Sequence, residues 1–251
     1  MLLFLTNCSK QEKAEEVSPD NIKTEISERD DDNTDDDYTI KYYYDEVETT
    51  NSATVDAAQY SIVEFSSDAS STKEILNFKG FSTKQKYIDY GNNHNIPIAK
   101  EIYFSERMSF LADSAGLSEE NPIPEWYTNY QNQLIESLLP PSNAPSSLVF
   151  GLTFYDSKKF DYPLVFNVGP AKAMPVMYYP LSFPYAWGNR VSRFKGLSFQ
   201  QTSVTLHDKV FYGGDIITIV RSFPNSSQEV KLGSSWNNKA SSFAYFLYQK
   251  S

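Results

Sequence analysis

The chain has 251 residues, 40% of them hydrophobic and 15% aromatic, which is enough apolar material for one or two folded domains. Its net charge is −10, but residues 11–50 alone hold fifteen Asp and Glu against four Lys and Arg, so the remainder is close to neutral. The folded part therefore lacks the basic surface that nucleic-acid binding requires. The single cysteine, Cys8, excludes an intramolecular disulfide.

The first eight residues form a short apolar run that ends in Leu-x-x-Cys at Cys8. This run is too short to span a bilayer, and it resembles the lipobox of bacterial lipoproteins, whose cysteine is acylated. The resemblance implies that residues 1–8 are a signal remnant and that Cys8 anchors the protein in the cell envelope, at the outer membrane. The flank Ser9–Glu12 is similar to the signal that sends some lipoproteins to the cell surface. The alternative is an incidental cysteine near a frayed terminus.

Residues 9–37 are acidic and contain few apolar side chains. Such a segment cannot bury enough surface to offset the entropy of ordering it, so we expect a disordered tether. A calcium-collecting tail is the alternative to a plain solvated spacer.

Residues 38–139 predict a mixed strand and helix segment of unknown function. Residues 38–48 and 59–66 are rich in aromatic and β-branched residues and predict short strands. From residue 72 onward apolar residues recur every three or four positions, which is typical of helices. These helices would either form a small bundle or pack on residues 38–66.

Three helices are expected in this segment. The first would be capped by Ser82 or Thr83, and the others would begin at Pro97 and after Pro124. The proline-rich residues 140–147 then predict a stiff linker to a separate domain at residues 148–251.

Two pairs of matching stretches indicate that residues 148–251 are a duplication. Trp187–Phe194 and Trp236–Phe243 share a tryptophan, an asparagine, a serine and a phenylalanine at matching positions. Thr153–Phe160 matches Thr205–Tyr212 in the same way. A repeat at this spacing indicates two copies of one supersecondary unit, and eight short strands suit a two-sheet sandwich.

This arrangement resembles the βγ-crystallin family, whose calcium signature is Asn/Asp-Asn/Asp-x-x-Ser/Thr-Ser. Asn237–Ser242 fits that signature at every defined position, whereas Gly188 and Arg193 depart from it in the first unit. The resemblance implies that residues 148–251 are an all-β sandwich of two Greek keys that cross between the sheets. Since the periodicity predicts a mostly helical or mixed segment before it, we expect an α+β protein overall.

The resemblance also implies a calcium ion (Ca2+) between the loops of the two units, at one site or two, with a stiffening role. Three kinds of oxygen ligand are implied. Side-chain oxygens would come from Asn189, Ser192, Asn237, Asn238 and Ser241. Backbone carbonyls would come from Arg190 and Lys239, and each hairpin would add an aspartate, Asp156 or Asp208. The alternative is structural, because Ser241 and Ser242 would pin the folded hairpin and Asn237–Asn238 would form a turn.

An enzyme is not expected, because no nucleophile elbow, zinc-protease or phosphate-loop motif is present. Of the two histidines, His207 occupies an aromatic corner position where packing is the expected role. The other class considered is an envelope interaction or inhibitor module with an unidentified protein partner. For that class, the exposed loop expected at Pro170–Pro175 is the candidate binding edge, and the alternative is an ordinary hairpin insertion. Trp187 and Trp236 are expected in the core, which argues against a sugar platform there.

Overall fold

The computed structural model describes residues 38–67, 74–138, 150–156, 164–168, 171–175, 191–197, 202–221, 229–231, 236 and 239–247. These residues belong to one compact unit, Asp37–Ser251. The segments predicted as signal remnant, tether and linker (1–8, 9–37 and 140–147) lie outside the described residues.

The N-terminal part of this unit contains four strands and four helices. In chain order they are β1 (Tyr38–Tyr44), β2 (Val47–Thr49), α1 (Ser52–Asp56), β3 (Tyr60–Ser67), β4 (Glu74–Phe81), α2 (Lys84–Asn93), α3 (Ile98–Ser114) and α4 (Glu125–Leu138). The three predicted helices and the strand predicted at residues 59–66 are confirmed, whereas the segment predicted as one strand at 38–48 is a hairpin of β1 and β2. The structure also contains α1, in a stretch that was predicted to be a polar loop, and β4, in a stretch that was predicted to be helical.

The described residues of the C-terminal part form eight strands and one short 3₁₀ turn. They are β5 (Phe150–Asp156), β6 (Leu164–Val168), β7 (Ala171–Met174), β8 (Val191–Leu197), β9 (Thr202–His207), the 3₁₀ turn (Val210–Tyr212), β10 (Ile216–Arg221), β11 (Glu229–Lys231) and β12 (Ser242–Leu247). Both helices and sheets are present, and one of the sheets is mixed, so the protein is α+β.

The strands form two sheets. The larger has eight strands in the order β2-β1-β4-β3-β10-β9-β12-β7, and the smaller has four in the order β11-β8-β5-β6. Strands β1 and β4 pair in parallel, as do β3 and β10, and the other pairs are antiparallel. Strand β7 thus lies in the sheet of β9, β10 and β12, and strand β11 lies in the sheet of β5, β6 and β8.

The larger sheet contains strands from both sides of the segment that was predicted to separate two domains. Strand β3 pairs with β10 from Tyr60↔Ile216 to Glu64↔Val220. Residues 216–220 are all buried, so β10 is covered on both faces, which is typical of a central strand. A lone C-terminal domain would have left β10 at an edge, so the parts on either side of the linker share one sheet instead of forming two domains.

The three longer helices form a layer over one face of this sheet, which we call the helical layer (α2, α3 and α4). Thr83 Oγ1 accepts a hydrogen bond from the Lys86 N–H and caps α2, as predicted. Gly91 allows α2 and α3 to meet closely, because a Cβ there would lie 2.7 Å from Ile98 Cβ. Of the two packing alternatives, the helices pack on the sheet, against β3 and β4 and also against C-terminal strands. Within the described residues no helix is long and apolar enough to cross a membrane.

Candidate metal site and the polar layer beside it

Three of the predicted calcium ligands meet at the connection between β9 and β10. Ser241 Oγ donates to the carbonyl oxygen of Asp208 at 3.0 Å and lies 3.3 Å from that of Lys239. The Ser241 N–H donates to the His207 carbonyl at 2.8 Å, which holds residues 239–241 against the hairpin. Ser241 is only 5% exposed, whereas the Lys239 side chain points to solvent. The site therefore offers oxygen atoms from two carbonyls and one hydroxyl.

The neighbouring Ser242 fixes the same hairpin. Its hydroxyl donates to the Lys209 carbonyl at 2.7 Å and accepts from the Tyr212 N–H at 3.0 Å. Phe211 and Tyr212 have φ angles of 55° and 65°, a left-handed conformation that costs a non-glycine residue about 1–3 kcal/mol. Hydrogen bonding and burial of both rings offset that strain. The alternative role expected for the two serines, pinning the hairpin, is present in the structure.

Asp215 joins this site, although the sequence reading did not select it. Its N–H donates to Asp208 Oδ1 at 2.8 Å, so the two acidic residues face each other across the hairpin. Burial and the negative charge of Asp208 raise the pKa of the Asp215 carboxyl. Gly214 between them has φ 79°, and a Cβ there would lie 1.7 Å from Asp208 Oδ1. The available signal was the Asp-Lys…Gly-Gly-Asp pattern, in which a tight hairpin brings both aspartates together.

The remaining predicted ligands are only partly placed. Asp156 ends β5 and pairs with Val191 at the start of β8, next to Ser192. Asn189, Arg190, Asn237, Asn238 and Cys8 lie outside the described residues. Within the described part of the chain, no group of three or more His, Cys, Asp or Glu side chains is arranged to hold a metal ion.

Two other sequence expectations can be compared with the structure. Trp236 is buried, as expected of a core residue. Residues Pro170–Pro175 were expected to be an exposed loop, and that prediction is wrong for the described residues. Ala171–Met174 form β7 along β12, and both Ala173 and Pro175 are buried. The Pro175 carbonyl accepts a hydrogen bond from Phe211, so this segment supports the hairpin.

His207 is buried where β9 meets α3. Its Nε2 lies 3.2 Å from Ser105 Oγ, and its ring meets the edge of Tyr212 at 5.7 Å. Among the described residues, its Nδ1 has no hydrogen-bond partner. Burial lowers the pKa of the imidazole to about 3. The neutral ring therefore has a packing role at the aromatic corner position.

A buried polar cluster around Glu101 lies beside His207, and sequence reasoning missed it. The Glu101 carboxylate, 1% exposed on α3, accepts hydrogen bonds from the hydroxyls of Ser203 and Thr205 on β9. Thr218 Oγ1 on β10 lies 2.9 Å from Thr205 Oγ1 and 3.4 Å from the carboxylate. Tyr87 of α2 completes the cluster with its hydroxyl 2.5 Å from Thr218. We call these five residues the Glu101 cluster.

The helical layer also makes a second polar contact with the sheet. Tyr212 donates its hydroxyl hydrogen to Gln131 Oε1 at 2.7 Å, and Gln131 Nε2 donates to the Ala173 carbonyl at 3.2 Å. Burial raises the pKa of the Tyr212 hydroxyl well above its ordinary value. The buried polar groups here are thus paired across the interface between helices and sheet, as buried polar groups generally must be.

No family model, curated protein or solved structure matches this chain.

Proposed function

We propose that residues 148–251 are a calcium-binding βγ-crystallin-like module whose ion stabilises the fold, within a non-enzymatic lipoprotein of the cell envelope. The observation that carries the proposal is the meeting of Asp208, Lys239 and Ser241 at one hairpin. The next paragraphs give what supports the fold, the ion and the anchor in turn.

The strand order supports two Greek keys that cross between sheets. Three strands of the first repeat (β5, β6 and β8) share a sheet with β11 of the second, which pairs with β8. Three strands of the second repeat (β9, β10 and β12) share a sheet with β7 of the first, which pairs with β12. In each repeat the fourth strand lies next to the first, which is the Greek-key return. The exchange is reciprocal, as the resemblance implies.

The strand register supports duplication independently of composition. In the second repeat His207 pairs with Ser242 and Leu206 with Phe243. In the first repeat the matching positions pair in the same way: Tyr155 with Arg193 and Phe154 with Phe194. Two unrelated hairpins would have no reason to keep equivalent residues opposite each other, because register depends on the side-chain pattern of each strand pair.

The donor atoms at the hairpin suit a hard cation. Calcium takes six to eight oxygen ligands from carboxylates, carbonyls and hydroxyl or amide groups. The site provides the Asp208 and Lys239 carbonyls and the Ser241 hydroxyl oxygen. The Asp215 carboxylate is near enough to interact with the charges of Asp208 and Lys239. Asn237 and Asn238, from the signature, would add amide oxygens. A cation there would also relieve the repulsion between Asp208 and Asp215.

A stabilising role follows from the position of the site. The ion would tie residues 236–241 to the strained β9–β10 hairpin, which the two serines already hold. A ligand at ten times its dissociation constant stabilises the folded state by about 1.4 kcal/mol. Such a gain suits an extracellular protein in millimolar calcium.

The test is a thermal melt of the whole chain in EGTA, in millimolar calcium and in millimolar magnesium. The whole chain is needed because β3 completes the sheet beside β10. We expect a calcium-specific rise of several degrees that is lost in an Asn238→Ala/Asp215→Asn double variant. An Asn132→Ala/Asp113→Asn variant on the exposed side of α3 and α4 is the matched control and should keep the full response. An equal calcium response in both variants would show that the ion does not bind at this hairpin.

The lipid anchor is tested separately. We expect Cys8 to carry the acyl chains, so metabolic labelling with an alkyne fatty acid should label the wild type and spare a Cys8→Ser variant. Detection of an unmodified Cys8 in the membrane-extracted protein by mass spectrometry would contradict the anchor and leave the calcium proposal untouched.

A second candidate is an envelope interaction or inhibitor module whose Greek keys do not bind calcium. The observation in its favour is a group of exposed aromatic side chains on α3 and α4: Tyr103 is 54% exposed, Phe110 61% and Trp126 47%. Arg107 lies nearby, with its Nε donating to Tyr130 Oη at 3.0 Å. Aromatic residues and arginine are enriched at protein interfaces. This candidate predicts no calcium shift, together with loss of cross-linking to a partner in a Phe110→Ala/Trp126→Ala variant.

A further inference from the structure

The Glu101 carboxylate lies inside the protein without a cationic partner. It is buried between α3 and the sheet, and within the described residues no Lys or Arg side chain forms an ion pair with it. An ionised carboxylate in such a place loses its hydration, and hydroxyl hydrogen bonds restore only part of that loss. Glu64 of β3 also contacts the helical layer, through the Tyr90 hydroxyl, but it has a cationic partner in Lys79 at 2.7 Å. Glu101 has hydroxyl groups as its hydrogen-bond partners instead.

The partners of Glu101 are hydroxyl groups that satisfy either protonation state. The Ser203 and Thr205 hydroxyls donate hydrogen bonds to the ionised carboxylate. When the carboxyl is protonated, either hydroxyl can rotate and accept a hydrogen bond from its O–H instead. Thr218 and Tyr87 extend the chain of hydroxyls to α2. The arrangement of hydroxyl groups thus accommodates both protonation states of Glu101, and the free-energy cost of burying the charge decides which state is favoured.

The face of the sheet that meets Glu101 has a sequence suited to water. In β9, Ser203, Thr205 and His207 alternate with buried Val204 and Leu206, a pattern typical of a strand with one solvated face. The helical layer covers this polar face, and all three polar residues are buried under α3. Ile98 and Ile102 of α3 pack in an apolar cluster with residues of β10, but the contact with β9 is made by polar groups that can also bond to water. The strength of that contact therefore depends on how well Glu101 is accommodated.

We infer that Glu101 links the docking of the helical layer to pH: the protonated carboxyl holds α3 on β9 and β10, and ionisation favours a state in which the layer is opened and Glu101 meets water. Burial of the carboxyl raises its pKa in the closed state. The closed state therefore binds the proton more tightly than the open state. Stability of the closed state is complete below the ordinary glutamate pKa, about 4.3, and falls as pH rises through the higher closed-state pKa.

The other ionisable groups around the cluster do not replace Glu101 in this role. Tyr87 faces it from α2, and burial raises the pKa of its hydroxyl well above the ordinary value, so it stays neutral. His207 of β9 contacts α3 at Ser105, one turn beyond Glu101, and its imidazole is neutral because burial lowers its pKa. Tyr212, from the 3₁₀ turn, contacts Phe104 and His207 and is neutral as well. On β10, the residue that faces Glu101 is Thr218, which carries no charge.

The experiment is hydrogen–deuterium exchange of the intact chain between pH 5 and pH 8, corrected for intrinsic amide exchange. The amides of α3 report opening of the layer, and those of β10 report global unfolding. We expect the opening constant of α3 to rise about tenfold per pH unit up to the closed-state pKa of Glu101, then to level off. Amides in β10 should keep their protection. In Glu101→Gln, which keeps the shape and removes the charge, the α3 profile should be flat.

Glu106→Gln is the matched control. Glu106 lies on the exposed side of the same helix, paired with Lys84, so this variant removes one charge from α3 without touching the cluster and should keep the wild-type profile. An unchanged pH profile in Glu101→Gln would overturn the inference. Equal loss of protection in α3 and β10 would also overturn it, because the proton would then be coupled to unfolding of the whole protein.

A second measurement does not depend on any variant folding. The side-chain carboxyl carbon of Glu101 can be titrated by NMR in the wild-type protein. A midpoint clearly above about 4.3 supports the inference, and a midpoint at or below that value would overturn it.

Discussion

The Ser242 hydroxyl accepts a hydrogen bond from the Tyr212 N–H at 3.0 Å, and it does so where Tyr212 has a left-handed φ of 65°. The same hydroxyl donates to the Lys209 carbonyl at 2.7 Å. One buried side chain on β12 thus satisfies two backbone groups of a strained hairpin that belongs to β9 and β10. The candidate calcium site depends on that hairpin, because Asp208 and Asp215 are placed by it.

We predict that Ser242→Ala destabilises the protein by about 1–3 kcal/mol, since a buried N–H and a buried carbonyl lose their partner together. The measurement is urea unfolding in EGTA. Ser137→Ala is the comparison, because its hydroxyl bonds to the Leu134 carbonyl at an exposed helix end and its loss should cost less than about 0.5 kcal/mol. Similar losses in both variants would contradict the role given to Ser242.

Gly214 and Gly116 provide a matched pair of substitutions. Both have positive φ, 79° and 62°, so alanine should cost each about 1–2 kcal/mol of backbone strain. Only at Gly214 would the new Cβ also collide with Asp208, whereas no atom lies within 4 Å of that position at Gly116. We expect Gly214→Ala to be the more destabilising and to reduce the calcium-dependent rise in melting temperature. Gly116→Ala should keep that rise, and the same calcium response in both would remove Asp208 from the site.

The buried His207 predicts a loss of stability in acid. Its folded pKa of about 3 lies below the ordinary histidine value near 6.5. The unfolded chain therefore binds the proton more readily, and the contribution is complete above pH 6.5 and is lost as pH falls toward 3, by up to about 1.4 kcal/mol per pH unit.

The measurement is the free energy of unfolding in EGTA at several pH values. We expect His207→Phe to show a shallower decline below pH 6.5 than the wild type. Ser105→Ala removes the hydrogen-bond partner but keeps the imidazole, so its decline should match the wild type. A wild-type slope in His207→Phe would mean that other groups cause the acid sensitivity.

The shared sheet predicts that residues 145–251 alone are poorly stable. Removing β3 would expose the backbone edge of β10, and removing α3 would expose the Ser203 and Thr205 side of β9. An exposed apolar edge strand pairs readily with other chains. We expect this fragment to aggregate or to melt without cooperativity, as followed by circular dichroism and light scattering, while the chain from residue 38 onward melts cooperatively. A cooperative, monomeric fragment would support the separate domain instead.

Local signals in the sequence were sufficient for most elements. Thr83 caps α2 and Pro97 and Pro124 precede the next two helices, because capping and proline effects act within one turn. The repeated Trp and aromatic positions indicated a duplication, and equivalent residues pair at equivalent register. Strand β4 was missed because its alternation, Ile75 to Phe81, was read as the start of the helical region.

For the candidate site, the sequence alone selected Asp208, Lys239 and Ser241 through a six-residue signature and a repeat, both of which are local patterns. The tertiary structure decided that Asp215 lies beside Asp208, that β3 extends the sheet of β9, β10 and β12, and that Glu101 is buried against β9. The physical reason is the same in each case. An alternating strand such as Thr202–His207 specifies which side chains share a face, but whether that face meets water or a helix depends on segments far away in the chain.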